Sequence, residues 1–199
     1  WIGLDRPAPG DSETQWSRLA ARYLRKEFAL TKEVKRATVH IAGMGLYELF
    51  INGQRIGEQV LAPAPTDYRK TILYNTYDIT PQLQKENAIG VILGNGRFYT
   101  MRQNYKPYKI PTFGYPKLRL NLIIEYTDGS RQTIASDISW KLTTEGPIRS
   151  NNEYDGEEYD ARKELGDWNR TGYDDTNWIP AGRVSIPSGT LRAQMMPGM

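Results

Sequence analysis

The chain has 199 residues, 39% of them hydrophobic and 25% charged, enough to bury a substantial core in one large domain or two small ones. Twenty-six Lys and Arg against 23 Asp and Glu leave a net charge of +3, and the basic residues are scattered along the chain, without the concentrated stripe that nucleic-acid binding requires. There is no cysteine, which excludes disulfide frameworks and cysteine-based zinc sites. No run of 18 or more apolar residues is present, so membrane insertion by a helix is not expected, and residues 1–10 lack the basic-then-apolar pattern of a secretion signal.

Trp1–Gly10 is punctuated by Pro and Gly and reads as extended, with a short helical turn within 11–22. Arg22–Leu30 reads as a strand whose alternation is poor, Tyr23, Arg25 and Glu27 opposing Leu24, Lys26 and Phe28, which predicts an edge position or a bulge. Val34–Ala42 alternates well: Ala37, Val39 and Ile41 face one way, Thr38 and the lone histidine, His40, the other, as a solvated strand face. Residues 46–60 predict a hairpin, because Asn52-Gly53 accepts the positive φ values of a two-residue turn. A Pro-rich loop carrying Asp67 follows, then another strand.

Pro81–Glu86 predicts a single helical turn and Asn87–Leu93 (NAIGVIL) a strand buried on both faces. Gly94–Pro116 is a long irregular segment rich in Tyr and Phe; loops beyond ~12–15 residues in compact domains are functional or disordered, and the aromatic content argues for the former. The cleanest alternation is Leu118, Leu120, Leu122, Ile124 and Tyr126 on one face, turned by Asp128-Gly129 into Arg131–Ser136. A helical turn near Ala161–Leu165 and a final strand after Arg183 complete the reading. Short strands with regular turn signals and no long amphipathic helix predict an all-β chain, an antiparallel jelly-roll β-sandwich forming a single domain over 1–199.

The blocks ARYLRKEF, GLYELFINGQRIGEQVLAPAPTDYRKTILYNTYDIT, NAIGVILGNGRFY and NNEYDGEEYDAR, in that order, resemble the N-terminal β-sandwich domain of bacterial α-L-rhamnosidases, and GYDDTNWIPA resembles a closing motif of sugar-binding-type (galactose-binding-like) jelly rolls. The resemblance implies an accessory domain excised from a large multidomain inverting glycoside hydrolase of the periplasm or cell exterior. Its acid and base would lie on a separate (α/α)6 barrel, the implied partner along with the other domains of the parent chain. It further implies rhamnose-containing glycans as ligands, with calcium as the one cofactor to test, since some relatives bind L-rhamnose through that ion. Where relatives often read G-D-G-W, this chain has Gly94-Asn95-Gly96-Arg97, without the carboxylate and the tryptophan.

The residues themselves leave alternatives open. Asp67 either accepts from a backbone N–H two residues on, as an Asx-turn, or joins Asn104 as a calcium ligand, or binds sugar hydroxyls with the Asn95 and Asn104 loops. Tyr99, Tyr105, Tyr108, Phe113 and Tyr115, with Arg97 and Arg102 as donors, either form a sugar platform or pack the loop onto the sandwich or a neighbouring domain. The expected carbohydrate set is therefore Asp67, Asn95, Arg97, Tyr99, Asn104 and Tyr105, and the expected metal set Asp67 and Asn104. In the acidic run from Glu153 to Asp160, alternate carboxylates stand roughly 6.5–7 Å apart on one strand face but point in parallel, whereas a glycosidase pair must flank the scissile bond. Pairing with Arg149, Arg162 or Lys163, capping of the Gly156 turn, and calcium binding are the other roles open to that run. Trp140, Trp168 and Trp178 are expected in the packing, and no Ser-His-Asp triad is expected around the lone His40.

Overall fold

The computed structural model describes residues 1–5, 19–100 and 113–196. Among these the strands run β1 (Ile2–Gly3), β2 (Arg22–Ala29), β3 (Val34–Met44), β4 (Leu46–Ile51), β5 (Gln54–Ile56), β6 (Thr71–Asp78), β7 (Glu86–Gly94) and β8 (Lys117–Tyr126). They continue as β9 (Arg131–Ala135), β10 (Lys141–Thr143), β11 (Ile148–Asn152), β12 (Gly156–Tyr159), β13 (Ile179–Pro180), β14 (Gly182–Arg183) and β15 (Thr190–Ala193). The front sheet has the order β14-β1-β8-β3-β6-β15, with β9 also on β8; the back sheet has the order β13-β10-β2-β7-β4-β5, and β11 and β12 form a separate hairpin. Successive long strands alternate between the two sheets, which makes an antiparallel jelly-roll sandwich.

Period-two patterning decides which side of each strand enters the core. Leu118, Leu120, Leu122, Ile124 and Tyr126 of β8 pack with Ala37, Val39 and Ile41 of β3 against Leu24, Leu49, Ile51, Ile89, Val91 and Leu93 of the back sheet. Trp140 closes this core with no exposed surface, its indole N–H donating to the Ala135 carbonyl at 2.9 Å. The Asn52-Gly53 turn joins β4 to β5 with φ of 51° and 82°, as the sequence predicted. Asn52 also bridges back to β7, its amide donating to Asn87 Oδ1 and its carbonyl oxygen accepting from Ala88 N–H.

Two expectations are corrected. β2 is an interior strand between β10 and β7, not an edge. Its alternation is poor because both faces are covered: Leu24 and Phe28 enter the core while Tyr23 and Arg25 lie beneath the segment 165–178. Strand β15 runs parallel to β6, the one parallel pairing among the described residues.

Candidate functional site

The loop end that gathers the predicted site residues is shaped by three chain segments. Backbone N–H of Tyr47 donates to the Ala62 carbonyl at 2.7 Å, and Ala64 N–H donates to Gln194 Oε1 at 3.0 Å, fixing the loop that leaves β5. Just before these anchors Leu61 takes φ 60°, a conformation uncommon outside Gly, Asn and Asp, and it is 53% exposed beside Val60 at 57%. The second segment is the turn after β7, where the Asn95 carbonyl accepts from Phe98 and Tyr99 N–H. The third is the β11–β12 hairpin, joined to that turn by Asn151 Oδ1, which accepts from Asn95 N–H at 2.6 Å.

Among these segments lies a cleft of about 410 Å³. Leu46, Leu61, Pro65 and Tyr68 give it a mainly apolar lining, and Arg97 and Glu153 supply a charged pair, Arg97 Nη1 lying 2.9 and 3.2 Å from the two carboxylate oxygens. Burial pushes the Tyr68 hydroxyl up to about 12, so it presents a neutral phenol at physiological pH.

Among the described residues, Asp67, Asn95, Arg97 and Tyr99 take separate roles. Asp67 forms the Asx-turn: Oδ1 accepts from Arg69 N–H at 3.2 Å and from Arg69 Nε at 3.1 Å, with Lys70 Nζ 3.8 Å from Oδ2. Asn95 is buried and structural, its side-chain amide donating to the Leu19 carbonyl at 2.5 Å. Arg97 reaches the cleft. Tyr99 is buried, stacked on Tyr115 with ring centroids 5.7 Å apart, while Phe98 and Phe113 stack at 6.0 Å and Tyr68 meets both edge-on. Tyr68, Phe98 and Phe113 pack over Met44 and Ile72 on the outer side of the front sheet. Asn104, Tyr105, Tyr108 and Arg102 lie outside the described residues.

The fit to calcium at Asp67 is poor, because Arg69 and Lys70 already face the carboxylate a cation would need. Among the described residues no three His, Asp or Glu side chains gather as metal ligands. In the acidic run, Glu153 pairs with Arg97 and Asp160 with Arg162, whose hydrogen bonds lower the Asp160 carboxyl to about 2. Arg149 turns away from the run and donates to the Thr144 and Gly146 carbonyls. The contribution of β11 and β12 to the cleft escaped sequence reading, since it depends on how the hairpin docks on the Asn95 turn.

The Arg69 contacts hold the Asp67 carboxyl below its ordinary range, so the turn gains stability above the unfolded-state pKa and loses it as pH falls through the folded value. Asp67→Ala should therefore lower the melting temperature slightly at pH 7 and by progressively less as the pH falls into the acid range. A deficit that does not shrink with falling pH, in paired thermal melts, would remove the carboxylate from the turn's stability.

Comparison with known proteins places these features. Residues 32–199 match the model of the family described as the α-L-rhamnosidase N-terminal domain. An α-L-rhamnosidase of Formosa agariphila is 44% identical over 185 residues, covering 90% of this chain and 19% of the relative. The solved α-L-rhamnosidase of Dictyoglumus thermophilum superposes with a TM-score of 0.81 at 45% identity, over 92% of this chain and 20% of that one. The Streptomyces avermitilis α-L-rhamnosidase, solved with L-rhamnose, gives 0.78 at 36% identity, over 87% and 17%. The chain thus spans about a fifth of the length of the relatives it matches. Four ordered sequence blocks, a two-sheet jelly roll and these matches agree: the chain belongs to the α-L-rhamnosidase N-terminal domain family.

Proposed function

We propose that this chain is the accessory domain of a rhamnoside-hydrolysing enzyme, and that it serves by packing on the remainder of the parent chain, the helical catalytic barrel included. The carrying observation is the apolar lip of the cleft: Val60 and Leu61 are more than half exposed, and Leu61, at positive φ, is followed directly by the anchored Ala62 and Ala64. Gln194, bonded to Ala64, brings the exposed Met195 and Met196 alongside the same loop. Contiguous exposed apolar surface of this kind marks an interaction site. The relatives are about five times as long as this chain, so a covering partner within the parent polypeptide is the economical occupant.

Catalysis is assigned to the remainder because the carboxylates of the acidic run are committed to Arg97 and Arg162 or point outward from one hairpin. The chain alone should not turn over a chromogenic α-L-rhamnoside, and measurable turnover would move the active site into it. Docking has its own test. In the full-length enzyme, Leu61→Asp should split one calorimetric unfolding transition into two, while the same change in the 199-residue chain leaves its melting temperature within about 2 °C, as expected for an exposed position. A full-length variant that still unfolds as the wild type does would refute docking at this lip.

A further inference from the structure

The outer face of the front sheet contains a dip that the cleft and its loops do not use. His40 on β3 is flanked by Thr76 on β6 and by Asn121 on β8. One row along, Ala42 pairs with Arg119 on β8, and Tyr74, two residues from Thr76 on β6, stands on its other side. A methyl group between a phenol and a guanidinium leaves a depression, here about 270 Å³, with His40, Asn121 and Leu191 completing the lining. The row beyond, Met44 and Ile72, is closed over by Tyr68, Phe98 and Phe113, so the dip ends against a packed wall.

Its polar groups are uncommitted. Among the described residues Arg119, which is exposed, and the side chains of Asn121 and Tyr74 make no hydrogen bond or ion pair; the neighbouring Lys117, by contrast, is neutralised by Asp5 at 2.5 Å. His40 Nδ1 is 2.9 Å from Thr76 Oγ1, which leaves its second ring nitrogen for another partner, and its ring meets Tyr74 edge-on at 6.0 Å. A guanidinium without a counter-charge selects a planar carboxylate that can accept two parallel N–H bonds. An amide, an imidazole and a phenol around an aromatic wall suit ring hydroxyls and an apolar ring face. The volume, just under the roughly 300 Å³ lower end of small-molecule sites, fits a single ring.

We propose that the dip lined by His40, Ala42, Tyr74, Arg119 and Asn121 is a binding site for an acidic sugar unit, a uronic-acid residue of a glycan. The site is separate from the docking lip and does not rest on it. The test is a heteronuclear NMR titration of the 199-residue chain with D-galacturonate, with D-galactose as the ring lacking the carboxylate, and with acetate as the carboxylate lacking the ring. Galacturonate should saturably shift the amides of residues 40–42, 74 and 119–121, with galactose and acetate each binding about tenfold more weakly or worse. Arg119→Gln should reduce galacturonate to the level of galactose, and Ala42→Leu should fill the dip and abolish both. Should Ala42→Leu disturb the remaining spectrum, Asn121→Ala takes its place. Absent galacturonate shifts, shifts undiminished in Arg119→Gln, or acetate matching galacturonate would each overturn the proposal.

Discussion

Replacing Arg25 by Ala should cost the domain about 3–5 kcal/mol in urea denaturation, the range for breaking a buried ion pair by removing one partner. The Arg25 side chain is 2% exposed and holds four groups at once. Nε donates to the Trp168 carbonyl and Nη2 to the Arg170 carbonyl, both at 2.9 Å; the guanidinium pairs with Glu27 and Asp175, and it lies 5.4 Å from the Tyr173 ring centre. Its removal takes the donor from the Trp168 and Arg170 carbonyls, leaves Glu27 and Asp175 without their cation, and frees the segment 165–178. Lys cannot substitute, because one ammonium on a flexible stem does not reproduce a planar fork serving two sides, so Arg25→Lys should recover less than half of the loss. A loss below about 1 kcal/mol for the Ala variant would show that this segment is held by its tryptophans alone.

The same residue shows where sequence reading stops. A charged residue in a strand reads as solvent-facing, and Arg25 with Glu27 made β2 look like an edge; its burial is stabilised by partners about 150 positions away, which no local pattern contains. Elements specified locally were legible: the Asn52-Gly53 turn by its dihedrals, β8 by alternation, β7 by an apolar run with no polar face. β15 was legible as a strand but not as a parallel partner of β6, because pairing across more than a hundred residues depends on the closure of the whole sheet. At the cleft, Arg97 was visible as a loop donor, while Glu153 opposite it was visible only as a member of an acidic run. The dip at Ala42 needed the register of three strands, since a small residue in a strand means nothing until its neighbours are known.

Trp168→Ala should cost about 3–5 kcal/mol, the usual loss for truncating a buried large aromatic, and the glycine beneath it supplies the diagnostic. Trp168 meets Tyr23 at 5.3 Å, Phe50 at 5.9 Å and Trp178 at 6.2 Å between ring centres, a small second core on the outer face of the back sheet. It can lie there because Gly90 of β7 has no side chain: a Cβ at that position would meet Trp168 ring carbons at 2.8 and 2.9 Å and the Asn169 Cβ at 2.7 Å. Glycine otherwise weakens a strand interior, by up to about 1 kcal/mol against better strand formers, so its place here reflects the close approach of the ring. Gly90→Ala should accordingly lose about 1–3 kcal/mol by overpacking in the native chain. In the Trp168→Ala background the same change should cost less, since only the Asn169 Cβ contact remains, a coupling that a double-mutant cycle reads directly. Additive losses would mean that Gly90 is required for a reason other than the ring. Trp168, Trp178 and the Arg25 anchor thus cover Tyr23 and Phe50 on the outer face of the back sheet, on surface distinct from the proposed docking lip and the proposed sugar dip.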